Sequence, residues 1–192
     1  MRARWLGNVT AYSLAGAATS ALVGAALGFA GQVLLPAGAI VPWVTAAGVV
    51  GLLAVARTLG VTAIPFPQPT RQTNDVWAKR MSPTAAAIAW GLDLGLVFTT
   101  RLTFPGTWFL AVVAFVGRAP GVGAALLTAY WVGRALSVWI GPSLMRDARE
   151  TPELFEAVRD QLPSIQKTHV AALAMGVTAL IAVAAAGGPW PV

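Results

Sequence analysis

Long uncharged stretches alternate along this chain with short charged ones, and several of the uncharged stretches are long enough to cross a bilayer. Residues 11–35 (AYSLAGAATSALVGAALGFAGQVLL) carry no charge. At ~1.5 Å per helical residue they exceed a hydrocarbon core of ~30 Å. Residues 39–56 form a second stretch that ends at Arg57, after a turn containing Pro36 and Gly38. Character changes at 57–82, where Pro65, Pro67 and Pro69 precede Arg71, Asp75, Lys79 and Arg80; this composition predicts an exposed basic loop. Ser82 before Pro83 is a good helix N-cap followed by a good first helical residue. Residues 83–100 are apolar again, RLTFPG interrupts them, and 107–117 continues to Arg118. The last piece is short for a span, so the pattern leaves two readings: a short crossing at 104–117, or a helix-break-helix hairpin over 83–117 that turns inside the membrane. Either returns Arg118 to the side of the basic loop. Residues 119–141 and 169–187 complete the apolar set.

The stretch 142–168 is the only strongly charged one. Thr151, Pro152 and Glu153 predict a helix start, Leu154, Phe155, Val158 and Leu162 share one helical face, and Pro163 should stop it. An external amphipathic helix covering a partner or the membrane surface is expected there. The balance of the whole chain agrees with this division, since 57% of residues are hydrophobic and 10% charged, against ~25% charged in a soluble domain. The expected fold is all-α: one polytopic transmembrane bundle over 1–192, with five or six membrane segments and a broken helix at 100–106.

Composition narrows the chemistry. With no cysteine and one histidine, His169, thiol chemistry, disulfides and cysteine-ligated metals are excluded, no nucleophile motif stands near His169, and no metal or cofactor is expected. The 20 glycines lie mostly inside apolar helices, where they permit close helix packing, rather than in a phosphate-cradling loop. The net charge of +6 falls in loops beside apolar segments, which is the pattern of membrane orientation and not of nucleic-acid binding. By the positive-inside rule the 57–82 loop and both termini are expected in the cytoplasm of a bacterial inner membrane, with 142–168 outside. Arg2 and Arg4 would also suit an export signal; the expectation is that 11–35 is retained as the first span. Trp5, Trp77 and Trp190 should mark one interface and Trp43, Trp108 and Trp139 the other, while Trp90 and Trp131 lie deeper as packing residues.

Three ionisable residues fall inside apolar stretches. Asp93 lies about ten residues, or ~15 Å, into its helix, where a charge costs ~2.5–3.5 kcal/mol on insertion scales, so it should be paired, protonated or facing water. Arg134, inside the 119–141 span, and Arg101, in the interruption, are the expected partners. A weak internal repeat places FAGQVLLP at 29–36 over FTTRLTFP at 98–105, with Phe29 and Pro36 on Phe98 and Pro105; paired breaks meeting near the midplane are an architecture of transporters.

The run GLDLGLVFTTRLTFPG, followed by GAALLTAYWVGRALSVWIG, resembles the second half of the CcdA/DsbD-type membrane electron-carrier family, and AGQVLLP at 30–36 resembles the break in its first half. The resemblance covers roughly 27–60 and 83–141. It implies a helical scaffold whose two redox cysteines are replaced by Gln32 and Arg101, so disulfide exchange does not carry over. Gln32, Asp93, Arg101 and Arg134 are therefore the candidate intramembrane polar cluster, and Leu154, Phe155, Val158 and Leu162 the candidate contact surface. Function is expected to be non-enzymatic. The leading expectation is a membrane subunit or accessory protein packed among lipids and other membrane proteins; the alternative is a proton or small-solute conduit built around Asp93, Arg101 and Arg134.

Overall fold

A computed structural model describes residues 2–36, 38, 40–68, 71, 76–100, 102, 104–144 and 151–185; the side chains at 2, 40, 141–144 and 151–155 lie outside that description. The described residues form helices and connecting segments, without strands. In order the helices are α1 (Arg2–Leu34), α2 (Ile40–Thr58), α3 (Val76–Arg80), α4 (Pro83–Gly95), α5 (Gly106–Val116), α6 (Pro120–Leu144) and α7 (Thr151–Ala185). Four of them, α1, α2, α6 and α7, contain segments long and apolar enough to cross a membrane. The protein is a membrane-embedded helical bundle.

α1 is the axis of the bundle, and glycines set how closely its neighbours approach. α6 runs antiparallel to it: Gly28 faces the backbone of Ala119 and Pro120, Gly24 meets Gly123, and Gly16 lies under the ring of Trp131. A side chain at Gly24 or Gly123 would fall on the other's carbonyl, so contact here is backbone to backbone, the kind of packing small residues allow in lipid. α4 runs parallel to α1 on another face. Thr84 hydrogen-bonds Asn8 at 2.8 Å, Gly91 faces the backbone of Tyr12, and Gly95 faces Gly16. The expected Ser82 cap is present, accepting from the Ala85 amide at 3.3 Å.

α5 continues in the direction of α4. It ends with Phe115 against Gly31 near the far end of α1. With 13 and 11 residues, α4 and α5 measure ~20 and ~16 Å, each short of a ~30 Å core but together sufficient. The interruption at 96–105 thus divides one crossing into two half-helices. Residues 104–117 are neither an independent span nor one arm of a hairpin, and Arg118 emerges at the end of the bundle opposite the start of α4.

This changes the topology inferred from sequence. α6 returns to the end where α1 begins, as the Trp5 and Trp139 rings, 6.2 Å apart, confirm. Trp139 therefore belongs with Trp5, not with Trp43, and Trp108 sits near the interruption. α7 then runs parallel to α5, with His169 and Leu173 beside Gly106 and Gly176 beside Phe109. The start of α7 lies at the same end as the 59–82 segment, and Ala185 lies at the other end from Arg2. The sequence pattern set 142–168 opposite the basic loop; in the bundle the described start of α7 lies at the end where α1 begins, and α4 and α5 together make one passage.

Two helix ends also differ. α7 passes through Pro163 without stopping. Proline removes one i→i−4 bond, but residues 156–168 are all exposed, so the Arg159 carbonyl it leaves can be solvated and the flanking turns carry the helix on. The AGQVLLP segment terminates α1 and interrupts nothing. It lies beside the end of α5, whereas the 96–105 interruption lies beside Ser20, so the two repeat segments do not meet at one depth.

The topology predicts a labelling pattern. With single cysteines introduced as Gly38→Cys, Ala78→Cys and Glu156→Cys in this cysteine-free chain, a membrane-impermeant maleimide applied to one side of sealed vesicles should mark positions 78 and 156 together and position 38 oppositely. Matching labels at 38 and 156 would mean that 83–117 crosses twice.

Candidate functional site

α4 ends abruptly in mid-bundle, and the polar groups of the bundle interior gather at that end. Val97, the residue after the cap, takes the left-handed conformation (φ 66°) that usually falls to glycine at a helix C-terminus. A β-branched residue there is strained by about 1–3 kcal/mol, and the fully buried Val97 side chain shows what holds it. Carbonyls freed by the end of the helix need donors. Ser20 of α1 supplies one, bonding the Gly95 carbonyl at 2.9 Å, and Thr99 another: its hydroxyl lies 2.8 Å from the Asp93 carbonyl and 3.3 Å from Asp93 Oδ1.

Asp93 itself is buried, with 5% of its side chain exposed, and its ionic partner is Arg71, whose guanidinium lies 3.2 Å from Oδ1 and is 54% exposed. The other carboxylate oxygen, Oδ2, is buried without a hydrogen-bond partner, as is Thr100 Oγ1 nearby in sequence. A buried acceptor left unmade costs about 1–3 kcal/mol. The site therefore presents a carboxylate held on one side by a water-facing cation and unfilled on the other, at the carbonyl end of a half-helix.

Arg71 reaches Asp93 because the proline-rich segment folds back onto the interruption. Trp108 Nε1 donates to the Pro67 carbonyl at 3.0 Å, Gln68 donates to the Leu102 carbonyl at 3.0 Å, and Phe66 packs on the core formed by Val44, Phe109 and Val177. Prolines spaced two apart cannot enter a helix or donate to a sheet, but their extended backbone leaves carbonyls free to accept. The described residues of this segment are mostly exposed, as read from the sequence, and they also strap the broken crossing.

Among the described residues the expected cluster is not assembled. Asp93 pairs with Arg71 and not with Arg134. Trp90 and Leu94 of α4 meet Trp131 and Ala135 of α6 around Tyr12, filling that region with apolar groups, and Arg134 is turned about 100° from Ala135 into a separate cleft. That cleft, of 770 Å³, is enclosed by α5, α6 and α7, and Tyr130, Arg134, Ser137 and His169 are among its lining residues. A second cavity of 640 Å³, almost wholly apolar, lies among α1, α3, α4 and α6. Gln32 is exposed in the last turn of α1, near the end of α5 and away from Asp93. Arg101 lies outside the described residues. On the candidate contact surface, Val158 and Leu162 are exposed at 47% and 40%, and the side chains of Leu154 and Phe155 lie outside the description. Trp131 is a packing residue as expected, 1% exposed and donating to the Ser13 carbonyl at 2.8 Å.

Sequence reasoning found Asp93 and missed Arg71, Ser20 and Thr99. A carboxylate inside an apolar run stands out by itself. Its partner does not, because an arginine in a basic loop looks like any other orientation charge until the strap is seen. Comparison with protein-family models, curated proteins and solved structures finds no match, so the geometry carries the functional reading.

The ion pair predicts coupled stabilities. Asp93→Asn and Arg71→Gln should show a coupling energy of about 1 kcal/mol in a double-mutant cycle read by thermal or denaturant unfolding in detergent, reduced by the half-exposure of Arg71. Asp93→Asn combined with Arg134→Gln should add within about 0.5 kcal/mol. Additivity in the first cycle and coupling in the second would return Arg134 to the role of partner.

Proposed function

We propose that the protein is a conduit or carrier for a proton or small cationic solute, with Asp93 as the group that receives the positive charge and Arg71 as the resident cation that must yield to it. The observation that carries this reading is the half-satisfied carboxylate at the break of a membrane crossing. Discontinuous helices place unwound backbone and a half-helix C-terminus, the negative end of its dipole, beside coupling ions in known transporter architectures. The strained Val97 and the strap that closes over the break support a site whose two states differ in local packing. No catalytic turnover is needed for this role.

The same reading includes an orientation. Arg2, Arg4, Arg57, Lys79 and Arg80 are associated with the end of the bundle where α1 starts, and Arg118 with the other. Under the positive-inside rule the Arg2 end is cytoplasmic and Ala185 lies toward the outer side of a bacterial inner membrane.

Reconstitution in liposomes tests the role. Parent protein should carry protons, or a small monovalent cation, down an imposed gradient, Asp93→Asn should abolish the flux, and Arg71→Gln should change its rate without abolishing it. Equal flux through parent and Asp93→Asn would remove Asp93 from the pathway.

A second reading, association with another membrane protein, is favoured by the N-terminal half of α7. Val158, Leu162 and Ile165 are each at least 40% exposed along one face, and fully covering such side chains is worth roughly 1.5–3 kcal/mol each. If this face is the working surface, Val158→Ser with Leu162→Ser should release a copurifying protein in mild detergent while the melting temperature of the bundle stays unchanged. A parent protein that purifies alone would leave the conduit as the reading.

A further inference from the structure

Arg134 lies within an apolar helix, lines the cleft between α5, α6 and α7, and has no ion pair among the described residues. α6 is held mainly by α1 and α7 by α2, so the two diverge over α5 and leave the cleft open along exposed Ala129, Gly133 and Ala172. We propose that this cleft binds an anionic amphiphile, a molecule with a carboxylate or phosphate head on an acyl chain, with Arg134 as the headgroup anchor.

Charge, shape and access each support that ligand class. Among the described residues no carboxylate lines the cleft, and Asp93 is engaged with Arg71, so the guanidinium's fork of donors has no anion among them. Near it stand two further polar groups. The hydroxyls of Tyr130 and Thr107 lie 3.3 Å apart, with the Phe104 carbonyl also 3.3 Å from Thr107 Oγ1, and His169 Nε2 is buried without a hydrogen-bond partner. Apart from Thr107 and Ser137 the rest of the wall is apolar, with Leu110, Ala172 and Gly176 extending toward the end of the bundle where α7 finishes. A volume of 770 Å³ is within the ~300–1,000 Å³ of small-molecule sites. Because α6 and α7 are membrane helices, the open side admits a ligand from the lipid phase. This site is separate from the Asp93 site, and the inference does not rest on the conduit reading.

The full chain, purified in a neutral detergent, is titrated with oleate, dioleoylphosphatidylglycerol and zwitterionic dioleoylphosphatidylcholine and read by native mass spectrometry. At least one of the two anionic probes should bind saturably at one per chain, and Arg134→Gln should weaken it about tenfold or more, as expected for loss of a charge-assisted contact. Arg134→Lys should restore most of the binding. Ala172→Phe, which narrows the apolar part and leaves the charge in place, should weaken it as well, and carries the test if Arg134→Gln does not fold. Preference for phosphatidylglycerol would identify a lipid headgroup as the source of the anion, and preference for oleate a free carboxylate amphiphile. Binding equal to that of phosphatidylcholine, or unaffected by either substitution, would overturn the proposal.

Discussion

Close approach of backbones along α1 is the constraint on which the rest of the bundle depends. In lipid there is no hydrophobic gain from bringing apolar helices together, so association rests on packing and on hydrogen bonds. Gly16, Gly24, Gly28 and Gly31 let α6, α4 and α5 reach the backbone of α1 directly. Once α4 is held parallel to one half of α1 and α5 to the other, the interruption between them is fixed at the level of Ser20, and the Gly95 carbonyl meets a hydroxyl already waiting on α1. Larger side chains at the glycines would push the half-helices outward and leave the broken ends without partners.

A broken crossing creates polar groups where the surroundings can least solvate them, and the molecule answers with contributions from four directions. Ser20 comes from the axial helix, Thr99 from the interruption itself, Trp108 from the next half-helix, and Gln68 and Arg71 from the strap. Irregular backbone at membrane depth is tolerated when it is buried in protein or faces water, and both conditions are met, since Asp93 is buried and its cation is half in solvent. Asp93 Oδ2 and Thr100 Oγ1 are left out of this arrangement. The unpartnered Oδ2 of the ion-paired Asp93 is the feature that separates a site from a merely repaired helix end.

The second half of the molecule is built differently. α7 is one helix with two characters: residues 156–168 are exposed throughout, while Leu173, Val177 and Leu180 are buried against Val44, Ala47 and Phe109. Its packing partner α2 ends at Thr58, so the lower half of α7 has no neighbour to cover it. That mismatch in length exposes the Val158 and Leu162 face, while the cleft containing Arg134 opens where α6, held by α1, and α7, held by α2, diverge over α5.

The fold class was legible from the chain alone because each term that decides it is local. Length and apolarity mark the membrane helices, Ser82–Pro83 starts α4, RLTFPG breaks the crossing, and a carboxylate in an apolar run marks Asp93 as a residue needing explanation. Topology and partnership were not legible. Whether 83–117 crosses once or turns back depends on how α4 and α5 sit against α1, which glycine contacts at Gly91, Gly95 and Gly31 decide and which no hydropathy pattern records. The partner of Asp93 depends on a strap whose prolines make its shape irregular, so no helical period could place Arg71 at the break. Arg134 was visible as an oddity, but the direction it faces follows from which side of α6 the apolar cluster around Tyr12 occupies. Sequence fixes what each segment can bury; only the packed bundle decides what each buried group meets, because those meetings join residues whose separation along the chain has no bearing on their distance in space.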